Sequence, residues 1–333
     1  MLALKMLRIL NSDITSCFLC VLLFLQFFDF RQDKIQIVRG FQNEITGFIY
    51  WGPAEEIENV FLEACGNDKI RNEISVRLEG HDLSRSEIQF LKKLNVRELH
   101  LGDSPTAVCV NTSIVEAVGD LADLRVVTID TNESRNIKWR SLKKLKDLRR
   151  LELLGNSKLD ADDLRAISSL SNLQTLDLKI SAQCKKFDWL EKLTSLTELR
   201  IYGKNHLGGN LAKSLTKLPN LSSLEIFGFA LNASDLSALA KSRSKGLIEL
   251  ETEIGNPTGV LNELSKFSEL KRLYLTFPQG TELDFSSLSK LPDIEHLCIR
   301  GATVPVKAEL SWIKKHPSIK TVKFTNRLSL IHI

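Results

Sequence analysis

Histidine is scarce and scattered in this chain: the six are His81, His100, His206, His296, His316 and His332. Acid–base catalysis and metal binding need such groups to converge. Cysteine does not fill the gap. Cys17, Cys20, Cys65, Cys109, Cys184 and Cys298 make no paired Cys-x-x-Cys or Cys/His set of the kind that holds zinc. Cys17 and Cys20 alone are close in sequence, inside the run CFLCVLLFLQFF, where a thiol packs as a small apolar group. The other four are too dispersed for a disulfide framework. A phosphate-cradling loop is missing too, since GKNHLGG at 203 and GNPTG at 255 lack the Lys-Ser/Thr ending that reaches phosphate and metal. An excess of one charge is also absent: 45 Lys+Arg face 41 Asp+Glu, a net of +4. That is too weak a field for nucleic acid to be an expected partner. The expectation is a protein with no catalytic residue, no metal and no cofactor.

What the chain has in abundance is one phrase. Leu164, Ile167, Leu170, Leu173, Leu176 and Leu178 define L-x-x-L-x-x-L-x-x-L-x-L, and the closing pair recurs from Val76/Leu78 to Val322/Phe324 at intervals of 23 to 28 residues. Alternate residues of an extended chain point to opposite faces, so the closing pair predicts a short strand with its leucines inward. The preceding apolar residues predict a helix with one buried face. Asp160 and Asn232 stand where helix N-caps belong. One copy cannot bury its own leucines, so the copies must stack.

A repeat of this length and pattern resembles the leucine-rich repeat family over about residues 70 to 326. The resemblance implies an α/β solenoid, curved, with parallel strands on the concave face and helices on the convex face. It also implies protein binding on the concave face. The family's asparagine, three residues after the last leucine, is matched only by Asn156; other copies carry Ser104, Ser181, Lys204, Phe229 or Pro278 there. The turn backbone of those copies must therefore be satisfied in another way.

The expected organisation has four parts. Residues 1–40 are a hydrophobic N-terminal segment. Residues 41–72 are a cap containing a helix over PAEEIENVFLEACG, with Ile57, Val60, Phe61 and Ala64 on its apolar face. Residues 73–326 hold about 11 strands, and 327–333 are a tail that folds over the last rung. Lys5 and Arg8 precede the apolar run of residues 14–30, which reads as an anchor or export signal, as a buried segment, or as translation from an upstream start. The chain is membrane-anchored or exported on the first reading and cytoplasmic otherwise.

Two surface features remain. RNIKWRSLKKLKDLRR, at 135–150, carries eight basic residues and one acid. It is either an anion-binding patch or the solvated face of a convex helix that buries Leu142, Leu145 and Leu148. On the concave face, the register predicts an acidic and aromatic cluster: Arg200, Tyr202, Glu225, Phe227, Glu249, Glu251, Glu253 and Tyr274. Aromatics ringed by charge are what an interface anchor looks like, and they point to a protein partner with a basic surface. Asp177, in the same outward column, is expected to be exposed. The sequence-level reading is a non-enzymatic binding scaffold. Its alternative is a substrate-recruiting subunit of a larger complex, such as a ubiquitin-ligase receptor.

Overall fold

The computed structural model describes residues 35–39, 44–52, 56–66, 68, 70–79, 84–102, 110–131, 137–155, 159–180, 186–203, 211–242, 246–283, 290–291, 293–303, 313, 316, 318–326 and 329–332. The N-terminal apolar run, Pro53, Asn156 and Cys109 lie outside them. Among the described residues, no helix is long and apolar enough to cross a membrane.

One sheet runs the length of the molecule. Its strands are β1 (Ile35–Arg39), β2 (Ile45–Tyr50), β3 (Ile70–Leu78), β4 (Val96–Leu101), β5 (Val126–Thr131), β6 (Arg150–Gly155) and β7 (Thr175–Ile180). They continue as β8 (Glu198–Gly203), β9 (Ser223–Leu231), β10 (Glu249–Ile254), β11 (Arg272–Thr281), β12 (His296–Ala302), β13 (Thr321–Asn326) and β14 (Ser329–His332). Spatial order follows chain order throughout. Strands β2 to β13 pair parallel, while β1 and β14 add antiparallel strands at the two ends.

The closing pairs stack as the alternation predicts: Val76 on Leu99, Leu99 on Val127, Leu151 on Leu176, Leu176 on Leu199. They bury completely into one continuous core. One inward position is polar. Thr252 is buried with its hydroxyl donating to the Glu253 carbonyl at 3.2 Å.

The L-x-x-L-x-x-L segments differ from the helix expected of them. The helix Ala161–Ile167 stops there, yet Leu170 and Leu173 are fully buried beyond it. Their amides donate to the carbonyls three residues back, Leu170 to Ile167 and Leu173 to Leu170. The same chain of bonds links Trp139, Leu142, Leu145 and Leu148, and again Phe187, Leu190, Leu193 and Leu196. An i→i−3 turn has three residues per turn, so every third side chain falls on one face. The strict period of three is the mark of successive i→i−3 turns; an α-helix would shift that face by 3.6 residues per turn.

True α-helices occupy the starts of the longer connections: α1 (Ile57–Cys65), α2 (Arg85–Leu91), α3 (Thr112–Gly119), α4 (Ala161–Ile167), α5 (Leu211–Leu215), α6 (Ala233–Lys241) and α7 (Val260–Leu264). Asp160 and Asn232 do cap α4 and α6, each in a reciprocal capping box, with Asp163 and Asp235 returning the bond. Asn111 caps α3 through Ile114 N–H. At the turn into the strand, Asn172 donates to the Lys146 carbonyl and Asn220 to the Thr194 carbonyl of the preceding rung, at 3.0 and 2.9 Å. Side-chain amides therefore link rungs at a different place from the one the family motif uses.

The N-terminal cap contains more than a helix. Phe48 and Tyr50 of β2 stack on Val76 and Leu78 and bury as a closing pair would. In α1, Ile57, Phe61 and Cys65 are buried, whereas Ala64 is exposed. This corrects the expected face to i, i+4, i+8. Phe61 packs against Phe48 and Phe90 at ring separations of 4.8 and 5.8 Å, tying the cap to the first full rungs. The chain end forms β14 beside β13.

Candidate functional site on the open sheet face

Parallel pairing arranges the outward side chains in columns. Arg77, His100, Thr128, Glu152, Asp177, Arg200, Glu225, Glu251, Tyr274, Cys298 and Lys323 pair each with the next, forming the central column. Neighbouring rungs sit about 4.8 Å apart, close enough for each charged residue to answer the one beside it.

At the centre stands Arg200. Its Nε donates to Glu225 at 2.9 Å, another guanidinium nitrogen lies 2.6 Å from Glu198, and Asp177 stands off at 4.0 Å. Immediately on the C-terminal side, Tyr202 and Phe227 stack nearly parallel, 5.1 Å apart and 6° from coplanar. Both rings are half-buried, each shielding one face of the other and leaving outer surface open. Burial is the largest cause that raises the Tyr202 hydroxyl above its ordinary range, with Asp177 and Glu225 adding to it.

The other four predicted site residues divide. Glu251 lies beside Glu225 on one side and Tyr274 on the other. Its carboxylate reaches across to Arg300 at 3.0 Å, and its pKa is raised chiefly by burial. Glu249 is held by Arg272 at 3.0 Å. Glu253 is out of line: a bulge in β9 sets it opposite Ala230 instead of Phe227. The bulge turns on Gly228, at φ +76°, whose α-carbon lies so close to Gly203 that a side chain would collide with the Gly203 carbonyl oxygen. Phe229, just after it, turns inward and meets Phe187 edge-on at 5.7 Å. The acidic cluster is thus less bare than its sequence implies, because Arg200, Arg272 and Arg300 answer three of its carboxylates.

Asp177 departs from expectation. Only 6% of it is exposed. Its Oδ1 is buried and accepts no hydrogen bond. Burial pushes its carboxyl up to about 6, with Arg200 pulling down and Glu152, Glu225 and Glu198 pushing up. Glu198 and Arg272 join this cluster although the sequence pattern did not single them out, and Asp177, placed in the column by its register, is buried instead of exposed. The signal for Glu198 and Arg272 was available, because each precedes the first residue of a closing pair and so faces outward.

A second concavity of about 530 Å³ lies near the N-terminal end of the same face, where Glu73 bridges Arg97 and Arg125 at 3.5 and 3.3 Å. On the opposite side of the molecule, the basic run is partly neutralised. Lys138 pairs with Asp160, Arg140 with Asp162 and Lys144 with Asp120, while Leu142, Leu145 and Leu148 are fully buried. Among the described residues, no group of three or more His, Cys, Asp or Glu is placed to hold a metal ion. Cys65 and Cys298 are buried free thiols.

No protein-family model matches the chain, and no curated protein matches it in sequence. Solved structures do match in shape. An internalin, inlF, from Listeria monocytogenes aligns over 82% of this chain and 88% of its own, at 19% identity and a TM-score of 0.50. A leucine-rich repeat protein of Leptospira interrogans aligns over 84% of this chain and 82% of its own, at 18% identity and a TM-score of 0.45. The repeat, the sequential parallel sheet with helices and turns behind it, and the likeness to the internalin together identify the architecture: this chain is an α/β solenoid with the leucine-rich repeat fold.

Proposed function

We propose that the protein is a non-enzymatic scaffold that binds a protein partner on the open sheet face between β8 and β11. The observation that carries this reading is the Tyr202–Phe227 stack, two large rings half-open to solvent beside ion-paired carboxylates. Stacked rings are already ordered, so a partner that covers them gains apolar contact with little further loss of side-chain freedom. Glu225, Glu249, Glu251 and Glu253 would then form the polar rim and favour a partner with basic groups.

The convex basic run is the weaker candidate because Lys138, Arg140 and Lys144 already have acidic partners. The test is photo-crosslinking from benzoylphenylalanine placed at Phe227 or at Lys143. A partner captured at Phe227, displaced by excess unlabelled protein and lost in Tyr202→Ala, supports the reading. Equal capture at Lys143 moves the surface to the convex side.

A further inference from the structure

Asp177 is the one described acid of the central column that combines near-complete burial with an oxygen lacking any hydrogen bond. Such a group costs free energy unless something else uses it. Its natural counter-ion has been drawn away: Arg200 makes its short contacts with Glu225 and Glu198 and remains 4.0 Å from Asp177. On the other side, Glu152 is one rung away in register, accepting from the Thr128 hydroxyl at 3.1 Å and standing 3.6 Å from Arg150. Two carboxylates thus lie side by side, Glu152 with Arg150 at 3.6 Å and Asp177 with Arg200 at 4.0 Å, both longer than a hydrogen-bonded ion pair.

We propose that Glu152 and Asp177 form a subsite for one basic side chain of the protein partner, a guanidinium or ammonium group entering over β6 and β7. The proposal rests on the concave-face reading and specifies what that face recognises. The incoming cation supplies the hydrogen bond Asp177 lacks once the side chains over the buried Oδ1 part, and the desolvation already incurred at Asp177 in the free protein is not incurred again on binding. The Tyr202 ring, one rung further and close enough for Asp177 to perturb its hydroxyl, borders the entry. The charged and titratable groups around the subsite are Arg150 and Glu152 of β6, Lys179 of β7, Glu198, Arg200 and Tyr202 of β8, and Glu225 of β9. Because the Asp177 carboxyl titrates near 6, a bound cation must compete with a proton there. Occupancy should rise as pH passes from 5 to 7.

The test uses the full chain with ¹³Cγ-labelled aspartate and follows the Asp177 carboxyl by NMR. N-acetylarginine amide is the probe, and N-acetylcitrulline amide, its neutral isostere, the control. The arginine compound should lower the Asp177 titration midpoint by about half a pH unit or more, and the citrulline compound should leave it in place. Glu225→Gln should blunt the effect, since the released Arg200 can then turn to Asp177. Asp177→Asn should remove arginine-induced changes at neighbouring amides. No shift with arginine, or equal shifts with both compounds, overturns the subsite. Loss of partner binding in Tyr202→Ala would still stand on its own, so failure of the subsite is distinguishable from failure of the binding surface.

Discussion

Replacing Gly228 by alanine separates two effects that usually come together. Gly228 and Gly280 share a positive φ, +76° and +78°. A β-carbon at Gly280 would meet nothing within 4 Å, whereas one at Gly228 would fall 2.0 Å from the Gly203 carbonyl oxygen and 2.7 Å from its carbon. The left-handed conformation alone costs an alanine about 1 to 2 kcal/mol. That should be the whole loss in Gly280→Ala. In Gly228→Ala the obstacle is backbone of the adjoining rung, which cannot rotate aside, so overpacking adds about 1 to 3 kcal/mol. The expected total is about 2 to 5 kcal/mol. Urea unfolding followed by far-ultraviolet circular dichroism measures both, provided the denaturant slopes agree between variants. Gly228→Ala should also disturb the near-ultraviolet signal, because Phe227 moves relative to Tyr202. Equal losses at the two glycines would show that β8 and β9 do not approach as described.

Leu176→Ala removes a fully buried side chain and should cost about 2 to 5 kcal/mol by thermal or urea unfolding. Asp177→Asn should stabilise the protein. The folded carboxyl, near 6, lies above its unfolded value, so wild-type stability falls as pH rises from about 4 through 6. The gain should be about 2 kcal/mol at pH 8 and vanish near pH 4, as paired unfolding curves would reveal. Asp160→Ala removes the α4 cap and should cost about 1 kcal/mol at pH 7. Lys138 and the helix amides hold the Asp160 carboxyl down at about 2, so this loss should shrink as pH drops from 4 towards 2. Once a partner is identified, Tyr202→Ala or Phe227→Ala should weaken it by about 1 to 2 kcal/mol or more. Charge reversal at Lys143 and Lys144 should leave its association rate nearly unchanged, and surface plasmon resonance would resolve the two.

The register was legible because alternation and a fixed repeat leave no freedom: once Leu176 and Leu178 point inward, Asp177 must point outward, and so must each residue paired with it. What outward means in exposure was not legible. Asp177 is buried between the Glu152 and Arg200 rungs, and the ion pairs that draw Arg200 to Glu225 and Glu198 depend on rotamers that periodicity does not encode. The same holds for Glu251, whose partner Arg300 lies two rungs away. The β9 bulge was readable in principle, since a glycine inside the strand pattern FGFA marks such a feature. Strand β2 was readable too. Phe48 and Tyr50 stand 28 residues before Val76 and Leu78, within the repeat interval, but aromatic residues stand where the template asks for leucine. Mistaking i→i−3 turns for helix had a simple cause: three-residue spacing fits one face of a short helix almost as well as it fits the tighter turn.

The strand order has a kinetic consequence. Large sheets ordinarily fold slowly because their partners are far apart along the chain, and closing those loops costs entropy before any contact repays it. Here each internal hydrogen-bonded neighbour is one repeat away, 23 to 28 residues in a chain of 333, so the relative contact order is only about 0.08, in the range of helical bundles. A folded pair of rungs can template the next, and growth can start at any stable pair and proceed in both directions. The last steps would then be the docking of β1 and β14, the antiparallel strands that close the two ends.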